Sequence, residues 1–167
     1  NILGFYDAVK TDPILKHTIR DLYGMRRGAM LRTDIFNSAI LAITLQNAPI
    51  KRTDQMLELL ITNSGDKLTF DRKTTYSWPS PKSIMDADAE ELTKKCKLGY
   101  RTKYLQFIAE AVQKQTCPTI KELLQMPFEK AKAELKKLKG IGDYSSEVIL
   151  PHGEAFPIDV WSAQIFH

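Results

Sequence analysis

Helix starts and stops recur so closely along this chain that only short helices fit between them. Asp12-Pro13 supplies a cap and a first-turn proline, and Gly24 a stop, which predicts a helix over about Ile14 to Tyr23. The Thr33-Asp34 cap opens a second helix that carries Ile35, Phe36, Ala39, Ile40, Ala42 and Ile43 toward Gln46. That helix is apolar around most of its circumference, so it should be central and buried. After Asn47-Ala48-Pro49 a third helix sets Met56, Leu59 and Leu60 at helical spacing, and Asn63-Ser64-Gly65 ends it.

The following stretch, Asp66 to Pro81, holds Tyr76, Trp78, Pro79 and Pro81 without sustained periodicity and reads as a long surface loop. Ser80-Pro81 opens a short helix and Asp88-Ala89-Glu90-Glu91 another, which Leu98-Gly99-Tyr100 ends before a helix over Lys103 to Gln113. Thr119 with Glu122 is a capping-box pattern. A Lys-rich helix from Phe128 to Leu138, a Gly-Ile-Gly turn, a short helix, a Pro/Gly loop and a helix start at Asp159 complete the pass. No strand alternation, repeat or low-complexity tract stands out. The expected fold is therefore all-α and compact, with residues 1–32 as a helical lead-in, 33–167 as one core, and a hairpin unit at 128–150. The chain stops within what reads as a helix, so a truncated C-terminus is expected.

Charge and cysteine content narrow the function classes. No apolar run approaches the roughly 20 residues that span a bilayer, and the N-terminal NILGFYDAVK lacks a signal-peptide layout, so a cytoplasmic protein with no membrane partner is expected. Cys96 and Cys117 stand in KKCKL and QTCPT, which give neither metal-ligand spacing nor a disulfide framework. His17, His152 and His167 are far apart in sequence, and no metal centre is expected. The 24 basic and 20 acidic residues leave a net charge of +4, compatible with a phosphate-rich partner but weak as an argument by itself.

The chemistry concentrates after Ala133. Leu135 and Leu138 face the core, Gly140-Ile141-Gly142 makes the hairpin, and Ile141 plugs it into the interior. A turn this tight favours positive φ at both glycines, and bare backbone lets a phosphate reach the amides of the next helix. Lys136, Lys137 and Lys139 would add mobile positive charge there. Taken alone, LKGIG is equally a helix stop between two packed helices. Beyond it, a loop with Pro151, Gly153 and Pro157 delivers Asp159 to a helix start, where an aspartate can act as a cap and also be held ionised.

Leu138 to Ser146 (LKGIGDYSS) followed by Phe156 to Trp161 (FPIDVW) is similar to the paired hairpin and Gly/Pro-Asp signature of the helix-hairpin-helix DNA glycosylase superfamily. Phe36 to Asn47 (FNSAILAITLQN) resembles the family helix that ends in Gln and then the residue entering the DNA stack, and Leu98 to Tyr104 (LGYRTKY) resembles its Gly-Tyr/Phe-Arg segment. The resemblance implies a base-excision enzyme, monomeric and acting on double-stranded DNA that contains a damaged base. It implies that Gly140, Ile141, Gly142, Lys139 and Lys137 hold a phosphate, with an Na+ or K+ ion on the 138–142 backbone and no other cofactor. Asn47 would fill the gap left by the flipped nucleotide, and Gln46 would reach the opposite strand. Asp159 would stabilise the positive sugar.

Relatives that also nick DNA carry lysine where Tyr144 stands, so hydrolysis without a lyase step is expected, as in alkylpurine glycosylases of the AlkA type. Tyr144, Val148 and Trp78 would line the base pocket, although Tyr144 is also readable as hairpin packing, and Tyr76 and Trp78 as covers for the core. Trp161 and Tyr100 read as core, Glu147 as a solvated or outlying acid, Arg101 as a structural or phosphate-facing cation. LGYRTKY and Asn47 are closer to the 8-oxoguanine branch, which keeps open a glycosylase with lyase activity; a non-catalytic helix-hairpin-helix DNA-binding module is the third reading.

Overall fold

The computed structural model describes residues 34–150. The expected helix at Ile14 to Tyr23, the Pro/Gly loop, Asp159 and Trp161 lie outside the described residues.

Helix α1 (Ile35–Leu45) starts where the Asp34 carboxylate accepts the Phe36 amide at 2.9 Å. Phe36, Ala39, Ile40, Ala42 and Ile43 are fully buried. Apolar groups on every side require neighbours on every side, and α1 packs against α2 (Ile50–Ser64), α5 (Arg101–Gln113) and α8 (Asp143–Ile149). Its two interior hydroxyls cost little: Ser38 Oγ donates to Asp34 O at 2.8 Å and Thr44 Oγ1 to Ile40 O at 2.9 Å, while Thr53 Oγ1 on α2 donates to Thr44 O at 3.2 Å. Helix α2 presents Thr53, Met56 and Leu60 inward at helical spacing, and the Gly65 amide closes its end on Ile61 O at 2.9 Å.

The expected loop over 66–81 is in part a β-hairpin. Strands β1 (Lys67–Phe70) and β2 (Lys73–Tyr76) pair antiparallel, from Lys67 opposite Tyr76 to Phe70 opposite Lys73. Four residues per strand, solvated on both faces, leave no inside-outside alternation to read in the sequence. The two-residue turn also hides its signal. Asp71 and Arg72 sit at φ 49° and 60°, the left-handed pair a type I′ turn needs, without the usual Asn-Gly. Thr69, Phe70, Thr74, Thr75 and Tyr76 supply the strand propensity.

The remaining caps fall where the sequence puts them. Ser80 Oγ accepts the Ser83 amide at 3.0 Å to open α3 (Pro81–Met85), and Asp88 Oδ1 accepts the Glu91 amide at 2.8 Å to open α4 (Ala89–Cys96). Glu90 and Glu91 in the first turn of α4 and Lys94 and Lys95 in its last complement the helix dipole. The capping box opens α6 (Ile120–Leu124): the Glu122 amide donates to Thr119 Oγ1 at 3.2 Å and the Thr119 amide to Glu122 Oε2 at 2.7 Å. Helix α7 (Phe128–Lys136) then leads through the 137–142 turn into α8. Ile84, Leu98, Leu105, Ile108, Leu123, Leu135 and Ile149 join α1 and α2 in one apolar core. No helix among the described residues is long and apolar enough to cross a membrane.

Replacing Asp71-Arg72 by Asn-Gly should stabilise the hairpin by roughly 1 kcal/mol, because both residues then accept positive φ without strain. Slower amide exchange in β1 and β2 is the expected result; unchanged exchange would show that the turn carries no strain.

Candidate functional site

Between α7 and α8 the two glycines play different parts. Gly140 has φ +92°, and a β-carbon there would lie 2.4 Å from Cγ of Tyr104 on α5, so both backbone and packing demand glycine. Gly142 corrects the expectation of two left-handed glycines: its φ is −105°, an extended value open to any residue, and nothing lies within 4 Å of an added β-carbon. It is exposed, whereas Ile141 between the two is buried with its amide on Leu138 O at 3.1 Å. The hairpin plug is therefore where the sequence placed it.

One side chain from α1 pins this turn. Gln46 Nε2 donates to Gly140 O at 2.7 Å and to Ser145 Oγ at 2.7 Å. The side chain expected to reach the opposite strand is thus engaged inside the protein through its amide nitrogen. Gln46 is itself fixed by Arg101, whose Nη2 donates to Gln46 O, Nε to Ile43 O at 3.2 Å and Nη1 to Leu98 O at 3.4 Å. Arg101 is 8% exposed and closes the open carbonyls at the end of α1, a structural cation and not a surface one. Its guanidinium lies 4.7 Å from the ring centroid of Tyr100. Tyr100 was expected in the core and is 45% exposed, since Arg101 takes the interior position at the start of α5. Asn47, next to Gln46, is an exposed loop tip at φ 46°. The Arg101–Gln46 chain thereby links Tyr100 to Gly140, with Asn47 next in sequence to the clamped Gln46.

The expected basic fringe is largely neutralised. Lys136 Nζ meets Asp143 Oδ1 at 2.9 Å and Lys137 Nζ meets Glu134 Oε2 at 2.6 Å. Lys132 bridges α7 to α8, 3.2 Å from Asp143 Oδ1 and 2.6 Å from Glu147 Oε1. Glu147 is therefore a largely buried partner in an ion pair, which removes the solvated alternative of its sequence reading and leaves the outlying one, because the helix pairing brings Lys132 to it. Hydrogen bonds from Lys136 and then Lys132 hold the Asp143 carboxyl below the usual carboxylate range, and Glu147, then Asp143, raises the Lys132 ammonium. Lys139 Nζ rests 4.4 Å from the ring centroid of Phe107.

Val148 is buried on α8, while Tyr144 and Trp78 are half-buried against the core, Trp78 on the segment between β2 and α3. None of the three lines the groove beside Lys139 that α5 and the hairpin form. No group of three or more His, Cys, Asp and Glu side chains able to hold a metal ion occurs among the described residues. The sequence reading missed Tyr104 and Ser145. Their signal is weak: Tyr104 lies one helical turn beyond Arg101, and Ser145 looks like any small residue on a buried face.

No family model matches the sequence. A Methanothermobacter thermautotrophicus (strain Delta H) protein named probable N-glycosylase/DNA lyase is 25% identical over 189 aligned positions, covering 100% of this chain and 59% of that protein. A DNA-3-methyladenine glycosylase of Bacillus subtilis (strain 168) is 24% identical over 163, covering 95% of this chain and 53% of that protein. The apo structure of Clostridium acetobutylicum 8-oxoguanine glycosylase/lyase superposes with a TM-score of 0.76 at 21% identity, over 99% of this chain and 58% of that one.

The fold is that of the helix-hairpin-helix DNA glycosylases. The chain spans little more than half the length of the curated relatives it matches. Within this fold the 140–142 turn is the hairpin, and the Gln46 and Arg101 contacts seat it on α1 and α5.

Substituting the two glycines by alanine should separate their roles. Gly140→Ala should destabilise the protein by roughly 1–3 kcal/mol through strained backbone and the Tyr104 clash, while Gly142→Ala should cost less, about 0.5–1 kcal/mol, through loss of a favoured N-cap residue on α8. Chemical denaturation measures both; equal losses would contradict the geometry.

Proposed function

We propose that this chain carries the DNA-gripping and catalytic core of a base-excision glycosylase, which flips a damaged purine out of duplex DNA and hydrolyses its N-glycosidic bond. The observation that carries the reading is Gly142. No neighbouring atom crowds it, it fills the N-cap position of α8, and its bare, exposed backbone lets a phosphate approach the hairpin amides. The fold it shares with known glycosylases makes duplex DNA the natural source of that phosphate. Asn47, at an exposed tip, is the residue proposed to enter the gap that the flipped nucleotide leaves. A tip whose base is clamped by Arg101 can push into a stack without giving way.

The chemistry is assigned to Asp159. As the base departs, positive charge builds on the sugar, and a fixed carboxylate beneath C1′ stabilises it and orients water. Asp143 and Glu147, the carboxylates on α8, are both tied to Lys132. Neither is free for this work.

Absence of a lyase step is inferred from the amines. Tyr144 occupies the position where nicking relatives keep lysine, and the neighbouring lysines are engaged: Lys132, Lys136 and Lys137 with carboxylates, Lys139 on Phe107. A Schiff-base lysine needs its neutral amine within reach, and Lys132 is shifted the opposite way. Alkylated or deaminated purines, whose bases leave with little help from an acid, suit such a site. The 8-oxoguanine reading is favoured by one feature, the exposed Tyr100 of LGYRTKY held beside Asn47 through Arg101.

An alkali ion is proposed at the 138–142 backbone. Hard cations take oxygen ligands, and this turn offers main-chain carbonyls. Gly140 O accepts Gln46 Nε2 and Leu138 O accepts the Ile141 amide, each with one lone pair, so each keeps a second for a cation. Such an ion would add positive charge facing a phosphate.

Asp159→Asn should cut base release by on the order of 10² or more while leaving duplex affinity nearly unchanged, since shape survives and charge does not. Retention of wild-type excision in a lesion-duplex panel would remove Asp159 from the mechanism. Borohydride added during turnover should trap no covalent complex, and strands should break only after alkali. A trapped adduct would mean that an amine reaches the sugar and would favour the 8-oxoguanine lyase reading.

A further inference from the structure

Beside the hairpin, the C-terminal half of α5 and the run 137–139 enclose an open groove of about 410 Å³. Phe107, Ala111 and Leu138 give it apolar lining, and Lys114, Lys137 and Lys139 line it with one carboxylate, Glu110. Glu134, paired with Lys137, stands at the edge. Phe107 is 41% exposed and is covered by the Lys139 ammonium, which holds that amine over the groove instead of leaving it to swing at the hairpin tip. Lys114 is tethered on the opposite wall by its i,i+4 bond to Glu110. Glu110's carboxyl is held below its ordinary range by Lys114 first and also by Lys139, so the charges of the two walls share one field.

An ammonium on each wall, an exposed mouth and direct continuity with Gly140 suit a chain of phosphates better than a small enclosed ligand. We propose that this groove is a second phosphate-binding stretch, which takes the sugar-phosphate backbone of the duplex flanking the segment gripped by the hairpin. It rests on the reading of the protein as a duplex-binding glycosylase, and it adds a contact that the hairpin does not make. The groove touches backbone and no base edges, so it lengthens the footprint without altering sequence preference. Glu110 acts as a brake by occupying Lys114.

The test uses the full chain, an undamaged duplex of about three helical turns, and fluorescence anisotropy across a salt series. Lys114→Gln should lower the slope of log affinity against log salt by about 1, as loss of one phosphate contact requires. Glu110→Gln should tighten binding severalfold at low salt, a gain that misfolding cannot imitate. Both effects should be equal on unrelated sequences. Wild-type slope and affinity in both variants would overturn the proposal, as would effects that depend on sequence. Base release on a lesion panel, measured in parallel, separates the two readings. Opposite shifts in the variants from a wild type that releases no base would uphold the groove and sink the glycosylase assignment, whereas base release with unshifted variants would do the reverse.

Discussion

A guanidinium with carbonyls for partners holds this site together. Arg101 is buried at the C-terminal end of α1, and its hydrogen bonds to Ile43, Gln46 and Leu98 satisfy main-chain oxygens that a helix end leaves open. Desolvating a cation is costly, and a helix C-terminus is a place where the field of the backbone offsets that cost. The planar fork is essential, because one lysine ammonium could not bond three carbonyls from two segments in a fixed plane. Once Gln46 O is fixed, its side chain is aimed, and the 2.7 Å bond to Gly140 O transfers that order to a turn 94 residues away. Asn47 takes a left-handed conformation immediately beyond the clamped residue.

From that anchor the hairpin divides its work between interior and exterior. Gly140 faces Tyr104 and Ile141 faces the core, so this side of the turn is defined by packing. Gly142 is defined by what it leaves open. The bond between α7 and α8 does not rest on apolar contact alone, since Lys132 reaches across to Asp143 and Glu147. With both side chains of the Lys132–Glu147 pair largely shielded, loss of one partner would leave a charge poorly solvated, an asymmetry that makes such pairs good registers for helix pairing. The same pairing reduces net positive charge at the hairpin, which places more of the proposed DNA attraction on the lysines farther along the groove.

The legible parts of this molecule were those decided locally. A cap needs one side chain and an amide two or three residues on, and Asp34, Ser80, Asp88 and Thr119 all cap as their sequence contexts suggest. The centrality of α1 was legible because an all-apolar circumference admits few alternatives. What escaped depends on partners distant in sequence or on backbone signs that residue type does not encode. Asp-Arg makes an unmarked type I′ turn, Glu147 looks solvated until Lys132 arrives from the preceding helix, and Tyr100 and Arg101 exchange the roles that hydrophobicity alone assigns them. The hairpin itself was visible as GIG, but the distinction between a glycine crowded by Tyr104 and a glycine with open space around it at a helix N-cap is purely tertiary.

That distinction bears on how grip and chemistry are arranged along the chain. The described residues supply an ordered anchor, an exposed amide-bearing turn and a basic groove, and the two α8 carboxylates, Asp143 and Glu147, are engaged in ion pairs. If a carboxylate of the hairpin were itself to face the sugar, its charge would also repel the phosphate that the hairpin is proposed to hold. Neutralising Asp143 and Glu147 with Lys136 and Lys132 removes that conflict, and the catalytic charge proposed for Asp159 belongs to a different segment of the sequence from the proposed phosphate grip. Attraction for the backbone and stabilisation of the departing sugar cation need opposite charges at neighbouring points of one substrate. A chain that carries them on separate segments can strengthen either without weakening the other.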